Sequence, residues 1–243
     1  MSEKVSLSYT TASSYLSCPS RVKFSLDHVK IAKSAPLVYG SVFHKVLASR
    51  LKNGSMSVAE AMTPYLAGNR DVEQDWNGVI MYTEHDLQPA AMMDWLEEAV
   101  GLVLANKSRP QACELKLSRE FDGEIPFRLS GVIDALWNGS LVDFKLVGKM
   151  FKPDMLQSAT YAILNGGPCD FYYFVIHKEK VPRLSVQRVT ETKKAGLLDW
   201  TLDRVYRPVA KGIANRVFPA NPSYQFCTKQ WCPYWDICRG EIE

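Results

Sequence analysis

The spacing of hydrophobic residues divides this chain into helical flanks around a stretch of strands. "SLSYTTASSYLSCPSR" opens on Ser and Thr capping residues and meets Pro19, which predicts a short helix from about Tyr9 to Ser17. "VYGSVFHKVLASRL" predicts a second helix with Val42, Val46 and Leu47 on its apolar side. Residues 53–110 are a helical insertion. Its "LQPAAMMDWLEEAVGLVLANK" repeats Met92, Trp95, Leu96, Ala99 and Leu102 or Val103 at helical spacing, a stripe that belongs to core packing. The period then drops to two through "ELKLSREF", "PFRLSGVIDAL" and "SLVDFKLV". A helix "PDMLQSATYAIL" closes on Asn165-Gly166-Gly167. Two more strands, "DFYYFVIHK" and "RLSVQRV", precede a long helix from about Glu191 to Val217 with a kink at Pro208.

The central pair of strands carries the chemistry. In "GVIDALWNGSLVDFK" the Asn138-Gly139 pair predicts a two-residue type I′ turn, because both central positions need positive φ. Trp137 then faces Ser140, Leu136 faces Leu141, Ala135 faces Val142, and Asp134 falls opposite Asp143. Alternation puts Lys145 on the face of the two aspartates and turns Ile133, Ala135, Val142 and Phe144 toward the core. Opposed residues have Cβ atoms roughly 4.5 to 5.5 Å apart, and like charges so placed repel. Something positive belongs between them. Lys145 supplies part of that charge, and a gap lined by carboxylate oxygens also suits a hard divalent cation. The plainer reading is a solvated hairpin face with ordinary charges, but the flanking "SGVI" and "SLV" are too apolar for a strand free in water.

Composition frames this site without deciding it. At 243 residues, 47% hydrophobic and 23% charged, the chain has globular composition and the length for one large domain with a full core. Its 29 basic and 26 acidic residues leave +3, which permits a nucleic-acid partner without demanding one. "MSEKVSLSYTTASS" has no apolar signal core and no run approaches a membrane span, so the expected location is the cytoplasm, away from membranes. Six cysteines in a reducing compartment read as metal ligands or buried thiols before disulfides.

The chain resembles the PD-(D/E)xK nuclease superfamily, in particular the RecB-like branch that includes the iron-sulfur nucleases of AddB and of CRISPR adaptation. The resemblance rests on "SYLSCPSR", "YGSVFHKVL", "GVIDAL", "VDFK", "QSATY" and "CTKQWCPYWDIC", which follow the family's order over most of the chain. It implies an α/β fold with a restriction-endonuclease-like core, a mixed central sheet flanked by helices, in a single domain over residues 1–243. It also implies a divalent ion, Mg2+ or Mn2+, held by Asp134, Asp143, the backbone carbonyl of Phe144 and the imidazole of His44. Lys145 is then the group that orients or deprotonates the attacking water. Gln157 and Tyr161, four apart on one helix face, match the family's pair beside the active site. Glu114 and Glu120 lie an even number of residues apart and point the same way; Glu120 is the preferred candidate to face the site, with a solvated carboxylate as the competing account for either.

Cys227, Cys232 and Cys238 are separated by four and five residues, as "CTKQWCPYWDIC", and Cys18 is the obvious fourth ligand. Zinc and a [4Fe-4S] cluster both accept four thiolates. One remote cysteine plus a terminal triplet resembles the family's iron-sulfur clasp, but four residues separate the first two terminal cysteines where the family commonly has two, so structural Zn2+ stays open. Cys113 and Cys169 fit packing. Arg204, Arg207 and Lys211 fall at helical spacing, with Lys193, Lys194 and Arg216 nearby; this is a solvated face unless the helix flanks the hairpin, where it becomes a phosphate stripe. Tyr15, Tyr39 and Trp76 are the candidate stacking aromatics.

The resulting expectation is a metal-dependent deoxyribonuclease acting on single-stranded DNA or DNA ends, with DNA and helicase or adaptation-complex proteins as partners. Two alternatives accompany it: an end-trimming subunit of an adaptation or recombination complex, and a non-catalytic DNA-binding module.

Overall fold

The computed structural model describes residues 4–29, 35–67, 89–105, 108–148, 150–194, 196–229 and 231–240. Strand β1 (Val5–Leu7) leads into helices α1 (Tyr9–Ser17), α2 (Pro19–Leu26), α3 (Ala35–Leu51), α4 (Val58–Ala67) and α5 (Pro89–Leu104). Then follow β2 (Ala112–Phe121), β3 (Phe127–Trp137), β4 (Ser140–Val147), α6 (Met155–Leu164), β5 (Phe171–His177) and β6 (Arg183–Val189). The last helices are α7 (Leu197–Thr201), α8 (Arg207–Ala214) and α9 (Trp235–Gly240). The sequence pattern misses β1, whose three residues are too few to show a period, and α2, which Pro19 starts rather than prevents because a first-turn proline loses no hydrogen bond.

The strands form one mixed sheet in the order β1-β3-β4-β5-β6, with β2 also on β3. β1–β3 and β4–β5 are parallel, and the other pairs antiparallel. Asn138 and Gly139 take φ of 50° and 75°, which fits the type I′ turn, and Trp137–Ser140, Leu136–Leu141 and Ala135–Val142 pair as expected. The ladder stops there. On the same side of β3, β1 takes up only Phe127 to Leu129, so β3 has an unpaired edge from Ser130 to Asp134. The sheet is therefore forked at its centre.

An apolar layer covers each face. Helices α3, α4 and α5 bury Ala135, Trp137, Val142, Phe144 and Ile176 on one side. On the other, α1, α6 and α8 bury Phe127, Leu129, Ile133, Leu141, Phe171 and Val175. Ile133 and Ala135, two apart on one strand, thus go to opposite layers, which corrects the expectation that they share a face. The break falls at Asp134, opposite Glu114, whose φ is +51°.

The expected long C-terminal helix is interrupted. Gly196, at φ +78°, separates a 3-10 turn (Glu191–Lys193) from α7, and a π-helical segment (Leu202–Tyr206) joins α7 to α8 directly before Pro208. A proline lacks the N–H that a regular turn requires, and the wide turn accommodates that loss. Residues 217–221 return to the first helices: Tyr15 Oη donates to the Val217 carbonyl at 2.6 Å, Ser20 Oγ to Phe218 at 2.9 Å, and Asn221 Nδ2 to Ser17 at 2.8 Å. Phe24 and Tyr234 stack at 5.1 Å between centroids. Among the described residues, no helix is long and apolar enough to cross a membrane.

Candidate active site

Asp134 stands at the fork because β4 leaves β3 just before it. Instead of a backbone ladder, Asp134 Oδ2 accepts the Phe144 N–H at 2.8 Å, so a side chain bridges the two strands where the main chain no longer does. Its Oδ1 lies 3.3 Å from His44 Nδ1 on α3. Burial works to keep His44 neutral, but the charge and hydrogen bond of Asp134 outweigh it, with Asp143 adding, and the net shift of its pKa is upward. Asp143 faces the other layer and is 4% exposed. Gln157 Nε2 donates to its Oδ1 at 2.7 Å. Oδ2 is buried and lies 2.8 Å from Lys145 Nζ, which gives it an ion-pair partner. Burial, and then the neighbouring Asp134 carboxylate, push the Asp143 pKa up to about 6.

Helix α6 supports this arrangement from below. Asp154 caps it, its Oδ1 accepting Gln157 N–H at 3.0 Å, and its other oxygen accepts the Tyr9 hydroxyl. Tyr173 Oη donates to the Asp154 carbonyl at 2.8 Å and reaches Gln157 Oε1 at 3.4 Å. Tyr161, the second member of the Gln/Tyr pair, stacks on Phe171, and burial with the charge of Asp143 pushes its hydroxyl up to about 12. Gly131 on β3 lets α6 approach, since a Cβ there would lie 3.0 Å from both Tyr161 and Leu164. Sequence reasoning missed Asp154, Tyr9 and Tyr173. The first was legible as a helix cap in "PDML"; Tyr9 meets Asp154 across 145 positions, which no local pattern reports.

A cavity of about 20 Å³ lies beside Asp134, lined by His44, Glu114 and Phe144 together with α3. That is room for one water-sized particle. Of the two glutamates it is thus Glu114, not the preferred Glu120, that borders the site; Glu120 sits at the far end of β2, 2.6 Å from Lys4. The carboxylates of Asp134 and Glu114 and the imidazole of His44 around this small cavity, with the buried Asp143 carboxylate nearby, fit a hard cation in chemistry and size. Among the described residues, no three His, Cys, Asp or Glu side chains already stand in position to share an ion. At the fork the donors are engaged by His44, Phe144, Gln157 and Lys145.

The same holds for the expected cysteine clasp. Cys18, Cys227, Cys232 and Cys238 are not gathered around a common point; Cys18 is buried and its sulfur accepts the Asn221 N–H at 3.4 Å. The two segments meet instead through the hydrogen bonds and ring stacking described above. In the basic stripe, Arg207 pairs with Asp203 and donates to the Asp122 carbonyl, and Lys211 pairs with Glu124, so these two hold the turn between β2 and β3 as part of an exposed charged face. Tyr39 is 2% exposed and Tyr15 is tied to Val217, which leaves neither as a stacking platform; Trp76 lies outside the described residues.

The sequence profile of the PD-(D/E)XK nuclease superfamily matches residues 6–239. The chain belongs to that superfamily. Its members generally use divalent metals such as Mg2+ or Mn2+. A Eubacterium rectale protein provisionally named an exonuclease, solved by crystallography, is 16% identical with a TM-score of 0.61 over 96% of this chain and 86% of its own. A second solved structure, SSO0001, is 14% identical over 100% of this chain and 90% of its own, with a TM-score of 0.49. The first likeness shows the shared fold. No curated protein matches the chain in sequence.

Proposed function

We propose that this superfamily member is a metal-dependent deoxyribonuclease that hydrolyses phosphodiester bonds in single-stranded DNA or at DNA ends. The observation that carries the reading is the fork, where the buried Asp143 carboxylate stands near a second carboxylate, Asp134, with the Lys145 ammonium 2.8 Å from its Oδ2. A dead scaffold has no use for such a cluster, since unlike the paired charges elsewhere it lowers stability.

Asp134, Asp143, the Phe144 carbonyl and His44 are the residues that would hold Mg2+ or Mn2+. The ion would neutralise scissile-phosphate charge, acidify a water and stabilise the leaving oxygen. Gln157 fixes Asp143 Oδ1, so Oδ2 is the oxygen that would hold the ion. Lys145 stands beside that oxygen, where its ammonium can offset phosphate charge and orient the attacking water, and its neutral amine form would be the one to take the water's proton. Tyr161 and the Asp154–Tyr9–Tyr173 contacts keep α6 in place against the fork. Exonuclease action draws support from the provisional name of the Eubacterium rectale protein, and DNA as substrate from the superfamily. Helicase or adaptation-complex partners remain part of the proposal on family grounds alone.

The deciding experiment incubates pure protein with end-labelled single- and double-stranded DNA in Mg2+, Mn2+ or EDTA. Metal-dependent release of mononucleotides or short products from single strands is expected; intact substrate in every metal condition refutes the reading. For the cysteines we propose a [4Fe-4S] cluster, with Zn2+ as the competing occupant, supported by the approach of residues 217–221 to Cys18. Anaerobically purified protein should be brown and carry about four irons, and Cys18→Ala should bleach it. Colourless protein with one zinc selects the alternative, and metal-free protein removes both.

A further inference from the structure

Beyond the fork, β2 and β3 continue as a two-stranded ladder with one face uncovered. Lys116 pairs with Val132, Ser118 with Ser130, and Glu120 with Arg128, so these six share the face that carries Asp134 and Glu114. The odd-numbered partners, Leu115, Leu129 and Ile133 among them, pack into the layer of α1, α6 and α8. Helices α3 to α5 cover only the part of the sheet past Asp134. The even face is therefore open to solvent directly beside the candidate site.

That open face has the makings of a binding track. A cleft of about 590 Å³ runs along it and along the unpaired β3 edge, bounded by Tyr9 and Tyr161 on one side and by Lys116, Ser118, Arg128 and Ser130 on the other. Its volume is in the range of clefts that enclose a small ligand, which suits one strand rather than a duplex. Val132, 44% exposed, puts an apolar surface on the floor. Charge favours an anion: Lys4 neutralises Glu120 at 2.6 Å, while Arg128 donates only to the Ser118 hydroxyl at 3.2 Å. Among the described residues Lys116 has no acidic partner. At a strand rise of about 3.4 Å, Lys116, opposite Val132, stands roughly 7 Å from Asp134 along β3, and Arg128 roughly 20 Å. The cations are thus spaced out along a line that begins at the carboxylates.

We infer that the open face of β2 and β3 carries the substrate strand, with Lys116 holding the phosphate next to the scissile one and Arg128 a phosphate further along. This rests on the nuclease reading and specifies where its substrate lies. Backbone contacts of this kind give affinity without sequence preference, and a single strand can also lay bases against Val132 and Tyr9.

The test measures binding rather than cleavage, so that it can fail independently of the activity. Fluorescence anisotropy with a labelled single-stranded oligonucleotide, in EDTA or in calcium, is recorded over a series of NaCl concentrations. Lys116→Ala should weaken binding about tenfold and flatten the dependence of log K on log salt by about 0.7, the value of one single-strand phosphate contact. Lys116→Arg should restore both. Arg128→Ala should weaken binding of long oligonucleotides and leave the shortest substrates unaffected. Lys180→Ala, which removes the same charge from the exposed turn between β5 and β6, should change nothing. In cleavage assays Lys116→Ala should raise KM and leave kcat near that of the wild type. Wild-type affinity and salt slope in Lys116→Ala overturns the track even if the enzyme cleaves DNA, as does a failure of the wild-type protein to bind the oligonucleotide. A protein that binds as expected but never cleaves keeps the track and removes the nuclease reading.

Discussion

At the Phe121–Phe127 end of the β2–β3 pair, Glu120 meets Lys4 at 2.6 Å, Glu124 meets Lys211 at 2.8 Å, and Arg207 donates to the Asp122 carbonyl. At the Asp134 end, the ladder to β4 breaks off and the buried Asp143 carboxylate stands near a second carboxylate, Asp134, whose charge opposes its ionisation. The first arrangement is exposed, paired and replaceable. The second is buried, crowded with like charge and unfavourable to the fold. Charges that fully satisfy one another hold a turn in place, whereas charges left incompletely satisfied in a buried cluster are available to a ligand.

The largest effect that would test this contrast is expected at Asp143. Asp143→Ala should abolish cleavage yet leave the thermal midpoint unchanged or raised, because it removes a buried carboxylate and its repulsion of Asp134; near wild-type cleavage in a preparation free of contaminating nuclease would break the comparison. Lys145→Ala should come next, with the rate down about a hundredfold and metal affinity retained, if this lysine orients the attacking water or, as the neutral amine, takes its proton. Metal titration alongside kinetics separates the two: lost metal affinity with an unchanged saturating rate would place Lys145 in ion binding instead.

The pH dependence of stability follows with a sign fixed by linkage. Asp143 titrates near 6 in the folded chain against 3.8 for an ordinary aspartate, so between those values the folded protein binds more protons than the unfolded one. In chelator, stability should therefore fall as pH rises from about 4 to about 6. His44, also shifted upward, has the same sign and extends the fall above its ordinary 6.5. Chemical denaturation at several pH values should show the decline, and Asp143→Asn should flatten its lower part. The smallest effect belongs to the paired end: Lys211→Ala should cost no more than about 1 kcal/mol, as exposed ion pairs do, and leave kcat unaltered.

The hairpin was legible in the sequence because a two-residue turn of Asn and Gly fixes register by itself, and three pairs follow from it. Where the register stopped was not legible. The departure of β4 depends on Glu114, twenty residues before Asp134 in sequence, and on an Asp134 carboxylate that takes the Phe144 N–H. Alternation alone would have kept the aspartates opposed. The helical pattern of "MLQSATY" placed Gln157 correctly on α6, since a cap and a period are local. The preference for Glu120 failed because parity along a strand says which way a side chain points and nothing about how far it is from the fork. For the same reason the spacing of Arg207 and Lys211 marked a face without naming the acids of the β2–β3 turn that occupy it. The cysteine pattern is local at one end only, and Cys18 is 209 positions from Cys227.

The meeting of residues 15–20 with residues 217–221 has a consequence for synthesis. Those hydrogen bonds span 202, 198 and 204 positions, so on the ribosome the first helices wait without these partners until almost the whole of this chain has been made. Contacts of such sequence separation form late, because closing the loop precedes any reward from the contact. Tyr9, at the start of the same helical segment, is one of the groups that brace α6 against Asp143. A nascent chain therefore cannot set its first helices against both α6 and residues 217–221, and so cannot complete the bracing of the candidate site, until translation of this region has finished.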